Sequence, residues 1–250
     1  MRISKIVRDT LLIAWIKSYP DFRRNPLFLL LITMISSIPL FFMMIFSSGG
    51  NMIVHGLIGA MVSSAGFVGV MAGIQDISWD RYVKIREMIV AMPVHPASYA
   101  LGIALAPLLM SIPSLIFFGA LIAALGFITL ETLAWTILSL VITWAAMSTL
   151  GFMISTYLLK SSMMVLNNLS NLLGIGLIFI PPVYYSEAQL GGLSWLSIII
   201  PTSNAAGLIR SHMGLLALSV ENVIVRWAVL IAMTVVFIVL TSLKAKWREN

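Results

Sequence analysis

The stretch from Asp76 to Gly102 holds a conspicuous group of charged and aromatic residues in an otherwise apolar chain. Its spacing predicts a short helix with polar residues along one face, which Asp76 or Ser78 could cap and Pro93 and Pro96 would end. Such a helix suits docking of a partner protein, although an ordinary interfacial helix whose basic side chains reach into water fits the same pattern. The candidate docking residues are Trp79, Asp80, Arg81, Lys84, Arg86 and Glu87.

Residue patterns that carry catalysis are absent from the sequence. There is no Gly-Lys-Ser or Gly-Lys-Thr, so we expect no ATP hydrolysis by this chain alone. Neither H-E-x-x-H nor G-x-S-x-G occurs. His55, His95 and His212 are far apart and fall on both predicted sides of a membrane. We therefore expect a chain that is not an enzyme and has no catalytic, metal or cofactor site of its own.

The composition is that of a membrane protein. Hydrophobic residues make up 60% of the chain, charged residues 10%, and the mean hydropathy is +1.04, whereas soluble domains have roughly 25% charged residues. Uncharged runs of about 20 residues are long enough to cross about 30 Å of hydrocarbon. The absence of cysteine excludes disulfides and thiolate metal sites. The first apolar stretch, from Leu11, is too short and too soon interrupted for a signal peptide.

The apolar runs predict a single transmembrane domain over 1–250, all α-helical and polytopic, with six spans. An amphipathic helix over 1–26 precedes them, because Ile3, Ile6 and Val7 recur at helical spacing among basic residues. That helix could be a lipid anchor alone or could also touch a partner. The predicted spans are 27–46, 52–74, 99–127, 132–159, 163–180 and 222–243.

Small residues in the second span and amides in the fifth predict helix faces that turn away from lipid. Small residues at helical spacing let helices approach closely, so we expect the second span to be buried among its neighbours. Asparagine inside a membrane is costly unless it is paired, and one face of the fifth span carries two of them beside a glycine. Packing and lining of a transport pathway both fit these faces. The residues concerned are Gly66, Gly69, Gly73, Asn167, Asn171 and Gly174.

The stretch 183–221 is too interrupted to cross a membrane. Its apolar part, Leu193–Ile200, is short, and Arg210 and His212 lie inside the part that follows Pro201. Two short helices that enter the membrane part-way, sheltered by protein, would satisfy their backbone groups best. We predict such a re-entrant pair over 190–214, on the extracellular side before the last span.

The basic residues predict the orientation. With six spans, every one of the 15 lysines and arginines except Arg210 and Arg226 falls on the same side, and the side richer in such residues is normally cytoplasmic. Both termini and the segment 76–97 are therefore expected in the cytoplasm. The net charge of +6 then reflects orientation in a plasma membrane, and we expect no nucleic-acid partner.

The order of these elements resembles the ABC transporter type-2 permeases, the membrane half of many bacterial and archaeal exporters. The resemblance covers nearly the whole chain, from the amphipathic helix to the segment before the last span. The chain departs from many relatives at Met88-Ile89-Val90, where they have Glu-x-Gly-Thr. The motifs that carry the resemblance are Arg86-Glu87, Met92-Pro93-Val94, Ala100-Leu101-Gly102, Pro181-Pro182-Val183 and the Leu193-to-Asn204 segment centred on Pro201.

The resemblance implies a dimeric translocation unit, made of two copies or of one copy and a homologous permease. Two cytoplasmic ABC ATPase subunits, which hold ATP and magnesium, would dock on 76–97 and drive export of an amphipathic or hydrophobic compound. An ion-coupled carrier that works without an ATPase is the main alternative, although no charged pair sits in the middle of a span. A non-transporting subunit or a membrane enzyme is a third. The implied outer gate comprises Pro181, Pro182, Pro201 and Asn204.

Overall fold

The computed structural model describes residues 3–24, 27, 37–38, 51–85 and 94–244, and every regular element in these ranges is helical. The predicted all-helical class is therefore confirmed for this part of the chain, whereas most of the predicted span 27–46 lies outside it. In chain order the elements are α1 (Ile3–Arg24), α2 (Asn51–Met71), a π turn (Ala72–Asp76), α3 (Ile77–Tyr82), α4 (Pro96–Ala124), α5 (Leu130–Tyr157), α6 (Met163–Phe179), a 3-10 helix (Glu187–Leu193), α7 (Leu196–Ile199), α8 (Pro201–His212) and α9 (Val220–Lys244).

Helices long and apolar enough to cross a membrane occupy most of the predicted spans within the described ranges. The shorter helix α6 is also apolar, and its 17 residues measure about 25 Å, somewhat less than a hydrocarbon core of about 30 Å. The chain thus has the helices of a membrane protein. The four candidate spanning helices are Met52–Tyr82, Pro96–Ala124, Leu130–Tyr157 and Val220–Lys244.

Helix α2 lies at the centre of the bundle. It packs against α4, α5, α6 and α8, and 88% of the most apolar window of Met52–Tyr82 is buried. The corresponding window of α9 is only 11% buried. The burial that the small residues predict for the second span is therefore confirmed.

Glycines set the distance between α2 and its neighbours. A Cβ atom added to Gly69 would lie 3.0 Å from the carbonyl oxygen of Trp144, and one added to Gly73 would lie 2.6 Å from the backbone of Gly151. Lipid supplies no hydrophobic drive between helices, so close backbone approach of this kind is a main source of attraction between them. At Gly66 the added atom would lie 2.8 Å from Thr202. The glycines thus pack against α5 and α8 of the same chain, and a role in lining a pathway stays a prediction.

Burial differs from that of a soluble helical bundle, because serines are buried beside the apolar core and many large apolar side chains face outward. Ser111 and Ser139 are fully buried, whereas Ile224 on α9 and Leu172 on α6 are 61% and 69% exposed. The hydroxyls of Ser64 and Ser114 lie 2.9 Å apart between α2 and α4, as expected where small polar residues join helices in lipid. So large an apolar surface is stable only against lipid or another apolar protein surface.

One long helix replaces the separate capped helix predicted after the second span, and that prediction is wrong. Asp76 has helical dihedral angles (φ −65°, ψ −40°) and no side-chain cap, so α2 continues through the π turn into α3. The Ser78 hydroxyl instead donates to the carbonyl of Ile74. Helix α3 ends at Tyr82, earlier than predicted, and Lys84 has a φ of 60°, a left-handed conformation through which a right-handed helix cannot continue.

The close contact at Gly73 can be tested with a single methyl group. Gly73→Ala is expected to lower the free energy of unfolding by roughly 1–3 kcal/mol, the usual cost of overpacking, because its Cβ would meet the backbone of Gly151 at 2.6 Å. Gly119→Ala is the matched control, since its Cβ would meet only the Met61 side chain, at 3.9 Å. Thermal unfolding in one detergent compares the two variants. Unchanged stability of Gly73→Ala would show that α2 and α5 are not held this close.

Candidate functional site

A buried polar cluster joins three helices at the C-terminal end of the α2–α3 rod, the helix from Asn51 to Tyr82. The carboxylate of Asp80 accepts hydrogen bonds from Lys17 Nζ at 2.8 Å and from the Tyr99 hydroxyl at 2.7 Å. Asp80 is only 1% exposed, and a buried carboxylate requires such partners because an unpaired charge is costly away from water. Lys17 belongs to α1 and Tyr99 to α4. This Asp80 cluster therefore fixes both helices to the end of the rod.

Burial of Asp80 limits how it could act in docking, and its predicted coupling role stays a prediction. A side chain that is 1% exposed cannot contact a partner protein directly, so the structure gives it the task of positioning α3. Arg81 also positions α3, because its guanidinium donates to the Ser155 carbonyl, at 3.2 Å, near the end of α5. Arg86 and Glu87 lie outside the described residues, and their predicted docking role is not tested.

An exposed aromatic surface lies beside this cluster. Trp79 and Tyr82 are 49% and 71% exposed, and their ring centroids are 6.0 Å apart. The exposed Lys84 lies two positions after Tyr82. Exposed tryptophan and tyrosine side chains on a rigid element are typical anchors of protein interfaces. The sequence prediction selected Trp79 and Lys84 but did not include Tyr82.

The predicted face of α6 divides into a packed part and an exposed part. Gly174 is buried, and a Cβ there would collide with the Phe67 ring. Asn167 and Asn171 are exposed. The Asn171 side-chain oxygen accepts a hydrogen bond from Gln75 in the π turn, at 3.2 Å. One amide therefore links α6 to the rod, as predicted for interhelical contacts, while the exposed amides lie on an otherwise apolar surface.

A second cluster, the arginine cluster of Glu187, Arg210 and Arg226, lies at the other end of the rod. Arg226 is 3% exposed, and its Nη2 donates to Glu187 Oε2 at 2.6 Å and to the Ser197 hydroxyl at 3.1 Å. Asn204 Nδ2 donates to the carbonyls of Ile198, at 2.9 Å, and Arg226, at 3.0 Å. These bonds tie the 3-10 helix, α7 and α8 to the start of α9.

Arg210 completes this cluster by binding backbone carbonyls. It is 1% exposed and donates to the carbonyls of Pro182, at 2.9 Å, His55, at 3.4 Å, and Val183. Two of these carbonyls, those of Pro182 and Val183, lie in the segment that follows the end of α6. Burial lowers the pKa of Arg210 to about 10, and the Glu187 carboxylate opposes that shift. The guanidinium is therefore charged at neutral pH and holds the end of α6 against the start of α2.

Aromatic stacking holds the other end of α8. The His212 ring stacks on Trp135 with centroids 4.8 Å apart and planes 5° apart, and Trp227 lies 6.5 Å from the same ring. Burial lowers the pKa of His212, against the opposing charge of Glu131, so the imidazole is neutral at pH 7. Helix α8 is thus fixed to α5 and α9 at its C-terminus and to the arginine cluster along its length.

The predicted gate residues all lie in or beside the arginine cluster. Pro181 and Pro182 are buried directly after α6, Pro201 begins α8, and Asn204 is fully buried within α8. The predicted pair of short helices corresponds to α7, with 4 residues, and α8, with 12. The sequence prediction treated Arg210 as an interruption of the segment and missed its burial and that of Arg226. The available signal was a glutamate and two arginines in a region with few other charges.

Comparison with models of known protein families finds no match, and a comparison with curated proteins finds no similar sequence. Within the described ranges, no group of three or more histidine, cysteine, aspartate or glutamate residues could hold a metal ion. What the molecule can do must therefore be inferred from the two polar clusters and the aromatic surface.

Removing one member of the arginine cluster should be far more damaging than removing both members of its ion pair. Arg226→Met is expected to lower the free energy of unfolding by about 3–5 kcal/mol, because it leaves the carboxylate of Glu187 without its cation in a buried place. Arg226→Met combined with Glu187→Met is expected to recover most of that loss. Lys160→Met, at an exposed cation, is the control. Thermal unfolding in detergent gives the comparison, and equal losses in single and double variants would contradict the pairing.

Proposed function

We propose that this chain is the permease subunit of an ABC exporter in the plasma membrane, where it works as a dimer driven by separate ATPase subunits. ATP and magnesium would be bound by those subunits. The observation that carries the proposal is the exposed Trp79–Tyr82 surface at the end of a rod that forms the centre of the bundle. The cargo we propose is an amphipathic or hydrophobic compound, since charged residues are scarce in the spans.

The Asp80 cluster supports this proposal by making the docking end of the rod stiff. A partner that pushes on Trp79 and Tyr82 pushes α3, which continues without a break through the π turn into α2. The bonds of Asp80 carry the same push into α1 and α4. π turns inside helices occur often at functional sites. The proposed movement, driven by the partner protein, therefore begins at α3 and reaches the centre of the bundle.

The proposed membrane arrangement has six spans with both termini in the cytoplasm. The four long apolar helices, the shorter α6 and the segment 27–46 would be the spans, and α1 would lie in the membrane interface. The exposed apolar side chains and the buried serines support a lipid environment for these helices. The concentration of basic residues at α1, at 81–86 and at the C-terminus supports the orientation.

The proposed pathway lies beside α6, and the proposed outer gate is α7–α8. Exposed amides at Asn167 and Asn171 are costly against lipid, so they favour a position facing a second copy or a water-filled pathway. At the other end, the arginine cluster would hold α8 closed against α9 until the rod moves. The exposed amides of α6 support the pathway and the bonds of the arginine cluster support the gate, and we propose that both belong to one half of a dimeric exporter.

Removing the exposed rings should uncouple the permease from its ATPase. Trp79→Ala combined with Tyr82→Ala is expected to reduce co-purification of the ATPase at least 10-fold, because few interface residues other than such anchors carry large binding energies. Stimulation of ATP hydrolysis by the permease should fall in parallel. The measurement uses the two proteins expressed together and purified through a tag on the permease.

Trp195→Ala combined with Leu193→Ala is the matched control, because these side chains are 51% and 53% exposed but lie in the segment proposed to be outside the cell. It should leave the complex intact. An intact, active complex in the Trp79–Tyr82 variant would remove the docking assignment. Transport into liposomes under an ion gradient, with no ATPase present, would replace the ABC proposal with an ion-coupled carrier.

Cysteine labelling tests the orientation directly, because the chain has no cysteine of its own. Gly192→Cys and Lys84→Cys place single thiols at exposed positions near opposite ends of the bundle. A maleimide that cannot cross membranes should label Gly192→Cys on intact cells and Lys84→Cys only after the cells are permeabilised. The reverse pattern would invert the proposed topology.

A further inference from the structure

Helix α1 buries polar side chains and exposes apolar ones. Asp9 and Ser18 are 9% and 0% exposed, whereas Leu11, Trp15 and Ile16 are 57%, 57% and 67% exposed. The helix packs against α4. In water this arrangement would be unfavourable, because the apolar side of an amphipathic helix normally faces the core. The exposed side must therefore face an apolar environment.

Basic and aromatic side chains flank this apolar side. Arg8 comes before it and has a side chain that is 68% exposed, with only a weak contact to the neighbouring Asp9 at 3.3 Å. Arg23 comes after it, is exposed, and donates from Nη1 to the Tyr19 hydroxyl at 3.2 Å. The Tyr19 ring lies 5.2 Å from that of Trp15. Amphipathic aromatic rings and cations beside an apolar stripe are typical of a helix that lies at the surface of a bilayer.

We propose that α1 docks on acidic lipid headgroups through Arg8 and Arg23, with its apolar side in the acyl boundary, and that this contact sets the position of α3. The proposal rests on the membrane placement of the proposed function. Charge complementarity favours lipid over a protein partner, since cations at both ends of an apolar stripe match a plane of acidic headgroups above hydrocarbon. Of the two carboxylates of α1, Asp9 is buried beneath its contact with Arg8, and the side chain of Asp21 lies outside the described residues.

The ion pair between Lys17 and Asp80 provides the link from lipid to α3. Lys17 Nζ lies 2.8 Å from the Asp80 carboxylate, which is 1% exposed. Displacement of α1 would therefore either move α3 or break this ion pair, and breaking it is costly because the buried Asp80 carboxylate would lose its cation. The lipid surface thereby sets the positions of the Trp79 and Tyr82 side chains. A permease of this design would respond to the acidic lipid content of its membrane.

The docking can be measured on the full chain in nanodiscs, without ATP, ATPase or transported compound. A polarity-sensitive fluorophore on Ile16→Cys reports contact with lipid, because the chain has no other cysteine. Quenching by acrylamide, a neutral water-soluble molecule, should be at least 3-fold weaker in phosphatidylcholine with phosphatidylglycerol than in phosphatidylcholine alone. Arg8→Gln combined with Arg23→Gln should remove that difference. Lys160→Gln, at an exposed cation in a loop, should keep it.

Equal quenching in the two lipids for the labelled chain that keeps Arg8 and Arg23 would overturn lipid docking. Protection that appears only after the ATPase is added would assign this face to a protein partner and would also overturn it. The measurement needs no ATPase, so lipid docking can be supported even if the exporter proposal fails. Lipid docking can equally be rejected while co-purification with the ATPase supports the exporter proposal.

A second label tests the link to α3. A fluorophore on Tyr82→Cys should shift its emission when phosphatidylglycerol is added, and the shift should disappear in Lys17→Met. Lys17→Arg keeps the cation and should restore the shift, which a loss of folding alone would not allow. A shift that survives in Lys17→Met, or one that is absent throughout, would overturn transmission through this ion pair.

Discussion

The close approach of the α2–α3 rod and α5 at Gly73 and Gly151 is the contact on which the rest of the bundle depends. In lipid no hydrophobic effect draws two helices together, so the attraction must come from dispersion between surfaces that meet without gaps. Glycine allows this because it has no Cβ to hold the backbones apart. With α5 this near, α2 can also touch α4, α6 and α8. It becomes a buried rod about which the other helices are arranged.

Both ends of the rod are held by buried charges in addition to apolar contacts. Asp80 binds Lys17 and Tyr99 at one end, and Arg210 binds carbonyls beside α2 at the other. Buried ion pairs are weak sources of net stability, but breaking one is costly. Each cluster therefore specifies which peripheral segment belongs at which end, α1 at the first and α8 at the second. Movement of the rod would therefore displace both α1 and α8.

The order of the helices could be predicted from the sequence, but part of the candidate site could not. Apolar runs of sufficient length predicted the helices after residue 51, and small residues predicted the burial of α2. The predicted docking helix was less accurate, because helical spacing cannot reveal that the π turn joins α3 to α2 or that Lys84 has a positive φ. Arg226 and Glu187 are 39 positions apart, and no local pattern indicates that such residues meet.

The amino-acid sequence by itself determined that the chain is helical and suited to a membrane, because length and hydropathy decide whether a segment can satisfy its backbone in lipid. Only the tertiary structure decided which polar residues are buried together and which remain available to partners. Asp80 and Trp79 are neighbours in the chain, yet one is 1% exposed and the other 49%. The difference arises because Lys17 of α1 and Tyr99 of α4 bind the Asp80 carboxylate, whereas the Trp79 side chain remains open.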